Sequence, residues 1–395
     1  MIKKILRRLV PQEKRTKLLR ATKRVLSMKK RETYYTKYTE IIDFNHDVFQ
    51  GYYDINFFKG DSLLFNRVND SGKLDICVKT LNNPPKIIDS TDAWCWQQGC
   101  RLRWIPGSES RICWNAWDGK SYYAIVYDCK TGIKERIIKP LYDIDLRGKT
   151  GASLNFTRLG YMRPGYGYTN APLDSNTNIS SEGIDLVDLS SNTSHRVVTY
   201  KEIEVLMERT VDLENCYLNH LAFSPSGNNL MFFFVEKGKI HHASLFVYQI
   251  AEHRLIPLEI DKSVSHYCWI SEDELLVTAY DAARNCRYYR YNLTGSKEIF
   301  MPDKLKVDGH PTWVNNNCII TDTYPDSAGF QKVLMVNPSN ESIKVLAELY
   351  STEKRMGEQR TDLHPRVDLE GGRISIDSNI NGYRKVVVLE ENFSE

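Results

Sequence analysis

Residues 220–258 read HLAFSPSGNNLMFFFVEKGKIHHASLFVYQIAEHRLIPL. The Phe-Ser-Pro-Ser-Gly turn ends one short strand, LMFFFV forms a second, SLFVYQI a third, and a short edge strand closes the unit. Four strands in about 40 residues is the period of a propeller blade. The cadence returns in HYCWISEDELLVTAY with CRYYRYNLTGSKEIF, in HPTWVNNNCIITDTYP with QKVLMVNPSNESIKVL, and in HPRVDLEGGRISIDS with YRKVVVLE. Upstream it returns in RLRWIPGSESRICWNAW with SYYAIVYDCKTGIKERII and in INFFKGDSLLFNRV with LDICVKTLNNPPKII. A weaker copy, interrupted by a long insertion, runs from Tyr142 to Val198. The sequence therefore predicts an all-β, seven-bladed β-propeller over residues 41–395. The best helical pattern in this body is KEIEVLMERT, residues 201–210, on a connection between blades.

A chain of 395 residues would ordinarily divide into domains, but a closed ring absorbs that length in one. It is long enough to bury a large core. Apolar runs such as Leu230–Val235 are far too short to span a bilayer. Charge is distributed unevenly. Residues 1–40 carry 14 Lys/Arg against 3 Glu, a charge of +11, so the remainder carries −8 of the total +3.

This basic arm has helical periodicity, with Ile2, Ile5, Leu6 and Leu9 on one face and Leu18, Leu19, Val25 and Leu26 resuming it after Pro11. Such a helix can lie on an anionic membrane surface or dock on a partner protein, and a solvated basic tail or a helix docked on the body are the plainer readings. A nucleic-acid role is excluded by the acidic body and the lack of any nucleic-acid module. The start lacks the apolar segment and cleavage site of a secretory signal. Nine cysteines, an odd number without zinc spacing even at Cys95 and Cys100, point to a reducing cytosol.

Aligning the blades on the inner-strand aromatic brings out a second register. His220 lies three residues before Phe223, His266 three before Trp269, His310 three before Trp313, and His364 three before Val367. Arg101 lies three before Trp104. Equivalent positions in a ring of blades converge on the axis, so these side chains are expected to encircle one mouth of the channel. The competing reading makes each histidine a cap on its own strand. Asp308, Asp322 and Asp326 would join the ring, with Gln359, Asp362 and Arg366 from EQRTDLHPRV and Gln97, Gln98 and Arg103 from WQQGCRLRW. The insertion SLNFTRLGYMRPGYGY adds Asn155, Arg158, Arg163, Tyr166 and Tyr168. Aromatic faces stack on sugars and Arg forks onto carboxylates, so this inventory suits an acidic saccharide. His, Gln and Asp together can hold a divalent cation with open positions, such as Mn²⁺. The chain has no HExxH, GxSxG, P-loop or dinucleotide fingerprint.

FSPSG after NHLA, GHPTW, DLHPRV and the following Asp377-Ser378 resemble the oligogalacturonate lyases, seven-bladed propellers related to the Tol-type translocation propellers. The chain also resembles propellers encoded beside bacterial surface-polysaccharide genes. The lyase resemblance implies a Mn²⁺ site built from a His on one blade and a Gln-x-x-His-x-His run on the last. His310 matches the first ligand, and Gln359, Asp362 and His364 match the run, with Asp362 in place of its middle His. His266 falls where the family places a catalytic His, and His220 is the alternative base. The implied reaction is β-elimination from a uronate, with Arg101 or Arg366 holding carboxylates and Gln98, Arg158, Arg163, Tyr166 and Tyr168 contributing to the saccharide site. The rival is a non-catalytic glycan-binding scaffold, held by its arm at the inner face of a bacterial inner membrane and serving capsule or lipopolysaccharide assembly.

Overall fold

A computed structural model describes residues 32–393, apart from 44, 81–82, 175–177, 239–240, 352–354 and 381. The expected helical arm lies outside the described residues up to Arg31. From Glu32 onward the chain forms seven antiparallel sheets arranged as the blades of a propeller. Blade 4 shows the plan: Cys216–Phe223 innermost, then Asn229–Lys237, His241–Gln249 and Arg254–Glu259. LMFFFV is buried throughout because this strand is covered by neighbouring blades on both faces. The turn before it closes through the Gly227 N–H to the Ser224 carbonyl at 2.8 Å.

The inner strands carry the features that aim side chains at the axis. In blade 4 the register shifts between Asn219 and Ala222, which takes His220 out of the ladder. In blade 5 the shift lies between Val264 and Tyr267, beside His266. Such bulges re-aim a side chain while leaving the strand paired on either side. Arg101, His220 and His364 all have positive φ, at 57°, 57° and 47°. That conformation is uncommon for residues with a Cβ and is held here by the surrounding sheet. Three of the five register positions thus share one unusual backbone conformation.

The described residues hold two α-helices, and both lie on connections. Helix α1, Phe156–Met162, is capped by the Asn155 side chain. Helix α2, Tyr200–Leu206, starts at a Thr199/Glu202 capping box. It stops short of the expected residue 210 because Glu208 turns to φ 52°, a left-handed exit. No helix among the described residues is long and apolar enough to cross a membrane.

The ring is closed by the start of the chain. Tyr38–Ile41 pairs with Tyr383–Glu390 as the outer strand of blade 7. Glu32–Tyr34 adds a fifth strand to blade 6 by pairing with Ser342–Tyr350. Residues 32–34 and 38–40, which the charge pattern grouped with the arm, are therefore part of the sheets. Lys385 fastens both segments: its buried Nζ meets Glu32 Oε2 at 2.8 Å and Glu40 Oε1 at 2.5 Å. Removing that charge leaves two half-buried carboxylates facing each other. Lys385→Met is expected to lower stability by about 3 kcal/mol, read from urea unfolding, and to make the segment before residue 42 the first site of proteolysis. Unchanged stability would show that the clamp contributes nothing.

Candidate metal centre and the cavity beside it

The four histidines in register do converge. His220, His266, His310 and His364 are all buried. The His266 and His310 rings lie 4.1 Å apart and the His310 and His364 rings 4.4 Å apart. Tyr52 fills the middle, stacked on His220 at 4.8 Å and edge-on to His364 at 4.8 Å, while Tyr53 lies 5.1 Å from His310. Both tyrosines come from the loop that interrupts the inner strand of blade 1, between Val48–Phe49 and Phe58–Lys59.

Asp322 organises the centre. Its carboxylate accepts from His310 Nδ1 at 2.8 Å, from the His310 backbone N–H at 2.8 Å and from the His364 backbone N–H at 3.1 Å. Gly309 allows this approach, since a Cβ there would stand 2.0 Å from the Asp322 carbonyl oxygen. His364 Nδ1 is held by the Gly51 carbonyl at 3.0 Å. With both Nδ1 atoms engaged on acceptors, the two Nε2 atoms are left buried and without hydrogen-bond partners among the described residues. The Asp362 Oδ2 atom lies 3.9 Å from His364 Nε2. Ligand atoms of His310, Asp362 and His364 all fall within 4.8 Å of one another.

Two imidazole nitrogens fixed from behind, together with a buried carboxylate, fit a divalent cation by chemistry as well as by spacing. Burial works against charge on His310, yet Asp322, Asp362 and Asp308 still raise its pKa above 6.5. Burial, with His310 and Arg366 nearby, pushes His364 well below its usual value.

A cavity of about 360 Å³ opens beside this centre, walled by Arg163, Tyr166, Tyr217, His220, His266, Arg284 and Tyr324 among others. His266 reaches it from a fixed position. Its Nδ1 lies 2.9 Å from Asp308 Oδ1. Asp308 also accepts from Thr278 Oγ1 at 2.6 Å, Ser265 Oγ at 2.7 Å and Tyr280 OH at 2.9 Å. These bonds hold the Asp308 carboxyl well below the usual range against its burial. Burial lowers the His266 pKa although Asp308 pulls the other way. The His266 Nε2 atom is left without a protein partner among the described residues. Arg163 and Arg284 bring two guanidinium groups to the cavity with no carboxylate partner among the described residues.

Other residues expected at the mouth are committed elsewhere. Arg101 is buried in a two-pronged ion pair with Asp54 at 3.1 and 3.0 Å, and its Nε donates to the Tyr142 carbonyl at 2.8 Å. Arg366 is buried against Asp377 at 2.8 Å and also donates to the Gly51 carbonyl. Arg158 ties α1 to the chain before blade 4, donating to the carbonyls of Cys216, Leu213 and Glu214 at 2.7, 2.6 and 2.9 Å. Tyr168 stacks on Phe156 at 4.6 Å inside the core. Gln98 donates to Tyr142 OH at 2.7 Å. Gln359 is exposed on a 3-10 turn, and its carbonyl accepts from Arg384 at 3.2 Å. Of the saccharide-facing set, Arg163 and Tyr166 alone line the cavity. The reading from sequence passed over Asp54, although it stands in the histidine register three residues before Phe57. It also passed over Tyr52, Tyr53, Arg284, Tyr324 and Arg360.

No family model and no curated protein matches the chain. Among solved structures it is similar to an oligogalacturonate lyase in complex with manganese, at 12% identity and a TM-score of 0.66, covering 92% of this chain and 95% of that one. It is similar to the oligogalacturonate lyase of Vibrio parahaemolyticus at 12% identity and a TM-score of 0.62, covering 92% and 98%. A puromycin-hydrolysing peptidase of Mycobacterium tuberculosis shares the fold at 10% identity and a TM-score of 0.54, covering 92% of this chain and 55% of the peptidase. The fold is that of the lyase-like seven-bladed propellers, and it is shared with proteins of other activities.

Proposed function

We propose that this propeller binds an acidic saccharide in the cavity between blades 4 and 5 and cleaves it by cation-assisted β-elimination at a uronate. The observation that carries this reading is the adjacency of two motifs: a three-residue cation site with two bare imidazole nitrogens, and an Asp308-held His266 that lines the cavity with its ring 4.1 Å from that of His310. His310, Asp362 and His364 would hold the cation, which when bound supplies electrostatic stabilisation of the charge that builds on the uronate carboxylate. His266 is oriented by Asp308 and depressed by burial, so it is neutral and offers Nε2 as the base for the proton at C5. Tyr166, Tyr217 and Tyr324 give the sugar aromatic walls. Arg163 and Arg284 take the carboxylate-binding task first expected of Arg101 and Arg366. His220, stacked on Tyr52 and with both ring nitrogens 3.4 Å from tyrosine hydroxyls, is a wall rather than a base.

The test is a panel of uronate oligosaccharides with Mn²⁺, followed by the ultraviolet absorbance of the unsaturated product. His266→Gln is expected to lower kcat by about 10²- to 10⁴-fold while Mn²⁺ uptake stays at the wild-type level. Saccharide binding without any unsaturated product would overturn the lyase reading and favour the glycan-binding scaffold.

A further inference from the structure

Asp362 is already occupied by a cation of the protein's own making. Arg360 Nε donates to Asp362 Oδ2 at 2.9 Å, and that oxygen is the one facing His364 Nε2 at 3.9 Å. The other end of the same guanidinium donates from Nη2 to Tyr166 OH at 2.8 Å, and Tyr166 is part of the cavity wall. The backbone beneath is pinned: the Arg360 carbonyl accepts from Gln97 Nε2 at 2.9 Å and from Arg384 Nη2 at 2.8 Å. The Arg360 side chain is 29% exposed, whereas Asp362 is 4% exposed. One group is therefore anchored at its root, part-exposed at its tip, and shared between the cation site and the saccharide cavity.

A guanidinium and a divalent cation brought to the same carboxylate oxygen repel each other, so each weakens the other's hold on it. We infer that Arg360 couples the two sites: Asp362 exchanges Arg360 for a divalent cation, and the released guanidinium turns into the cavity beside Tyr166 to receive a saccharide carboxylate. The inference rests on the cation-dependent reading above and adds its regulation. Apo protein hides a positive charge that loaded protein displays, so each ligand prepares the site for the other. Coupling of this kind is reciprocal by linkage.

The experiment is a pair of calorimetric titrations on the full chain, MnCl₂ with and without saturating tetragalacturonate, and tetragalacturonate with and without Mn²⁺; every protein carries His266→Gln so that the saccharide binds without being cleaved, and wild type here means no further change. In the wild type each ligand is expected to tighten the other by the same factor, about tenfold. Arg360→Met is expected to bind Mn²⁺ alone more tightly than the wild type, because the competitor is gone, and to keep at most about twofold coupling. Tyr166→Phe, which leaves the ion pair intact, is expected to keep the wild-type Mn²⁺ affinity with weakened coupling. Equal coupling in the wild type and Arg360→Met would overturn the inference and leave the cation-dependent reading standing, since the saccharide would then be touching the cation directly. Failure of the wild type to take up Mn²⁺ would remove both.

Discussion

His310→Ala is expected to abolish divalent-cation binding, weakening Mn²⁺ affinity by more than about 100-fold, because loss of a mere supporting group already costs about 10- to 100-fold. The substitution deletes one of two bare Nε2 donors and leaves His364 and Asp362 as an incomplete pair. It does not orphan Asp322. That carboxylate keeps the backbone N–H groups of residue 310 and His364 at 2.8 and 3.1 Å, so the inner strands retain their tie. The variant should therefore fold, and lost binding is separable from lost structure by unfolding curves. Asp322→Asn supplies the graded case: it keeps the shape but removes the carboxylate that anchors His310 through Nδ1, and a loss of about 10- to 100-fold is expected. Metal content measured after chelator-free purification, with calorimetric Mn²⁺ titration, reads both. Stoichiometric Mn²⁺ in His310→Ala at wild-type affinity would mean that this is not the cation site.

The second large effect is on stability. Asp54→Ala is expected to destabilise the fold by about 3–5 kcal/mol, the cost of leaving a buried charge without its partner. Arg101 is 1% exposed and Asp54 7%. Around the pair, Arg101 lies over the Tyr142 ring at 4.1 Å and Tyr267 OH donates to Asp54 at 3.2 Å, which ties blades 1, 2, 3 and 5 at the axis. The double variant Asp54→Leu with Arg101→Met is expected to recover most of the loss, since a buried pair replaced by apolar groups of similar volume is often neutral. Urea unfolding of the two single variants and the double variant decides it. If Asp54→Ala cost less than about 1 kcal/mol, the range of an exposed pair, Arg101 would again be a candidate for binding ligand.

These two sites show what the sequence makes legible. The blade count and the four-histidine register follow from period, because a propeller repeats its backbone and repeated positions must meet at the axis. His266, His310 and His364 meet as that register implies, while Asp362 came from the run beside His364 and not from the period. What period cannot reveal is whether a charged side chain that reaches the axis is spent there. Arg101, Arg366 and Arg158 have the composition of a ligand-binding set, yet each meets a carboxylate or carbonyl supplied by a blade distant in sequence. Asp54 shared the register but was missed because the blade was read from Ile55 onward, one residue after it. Tyr52 and Tyr53 carry no local signal at all, since only the closed ring brings their loop into the channel. Gln359 failed for the opposite reason: it sits in the right run, but a 3-10 turn leaves it exposed.

The clasp between the two ends of the chain also sets a timetable for synthesis. Tyr38 pairs with Leu389, so this strand leaves the ribosome long before its partner does. At about 5–20 residues per second, that is a wait of roughly 20–70 seconds with an unpaired edge exposed. Contacts so distant in sequence form slowly and late. Lys37 and Glu40, charged residues in and beside that strand, are the kind that keep a waiting edge from pairing with strangers. The newborn chain is thus most vulnerable to aggregation in the interval before its final blade appears, and a ribosome that stalls inside blade 7 would release an open ring.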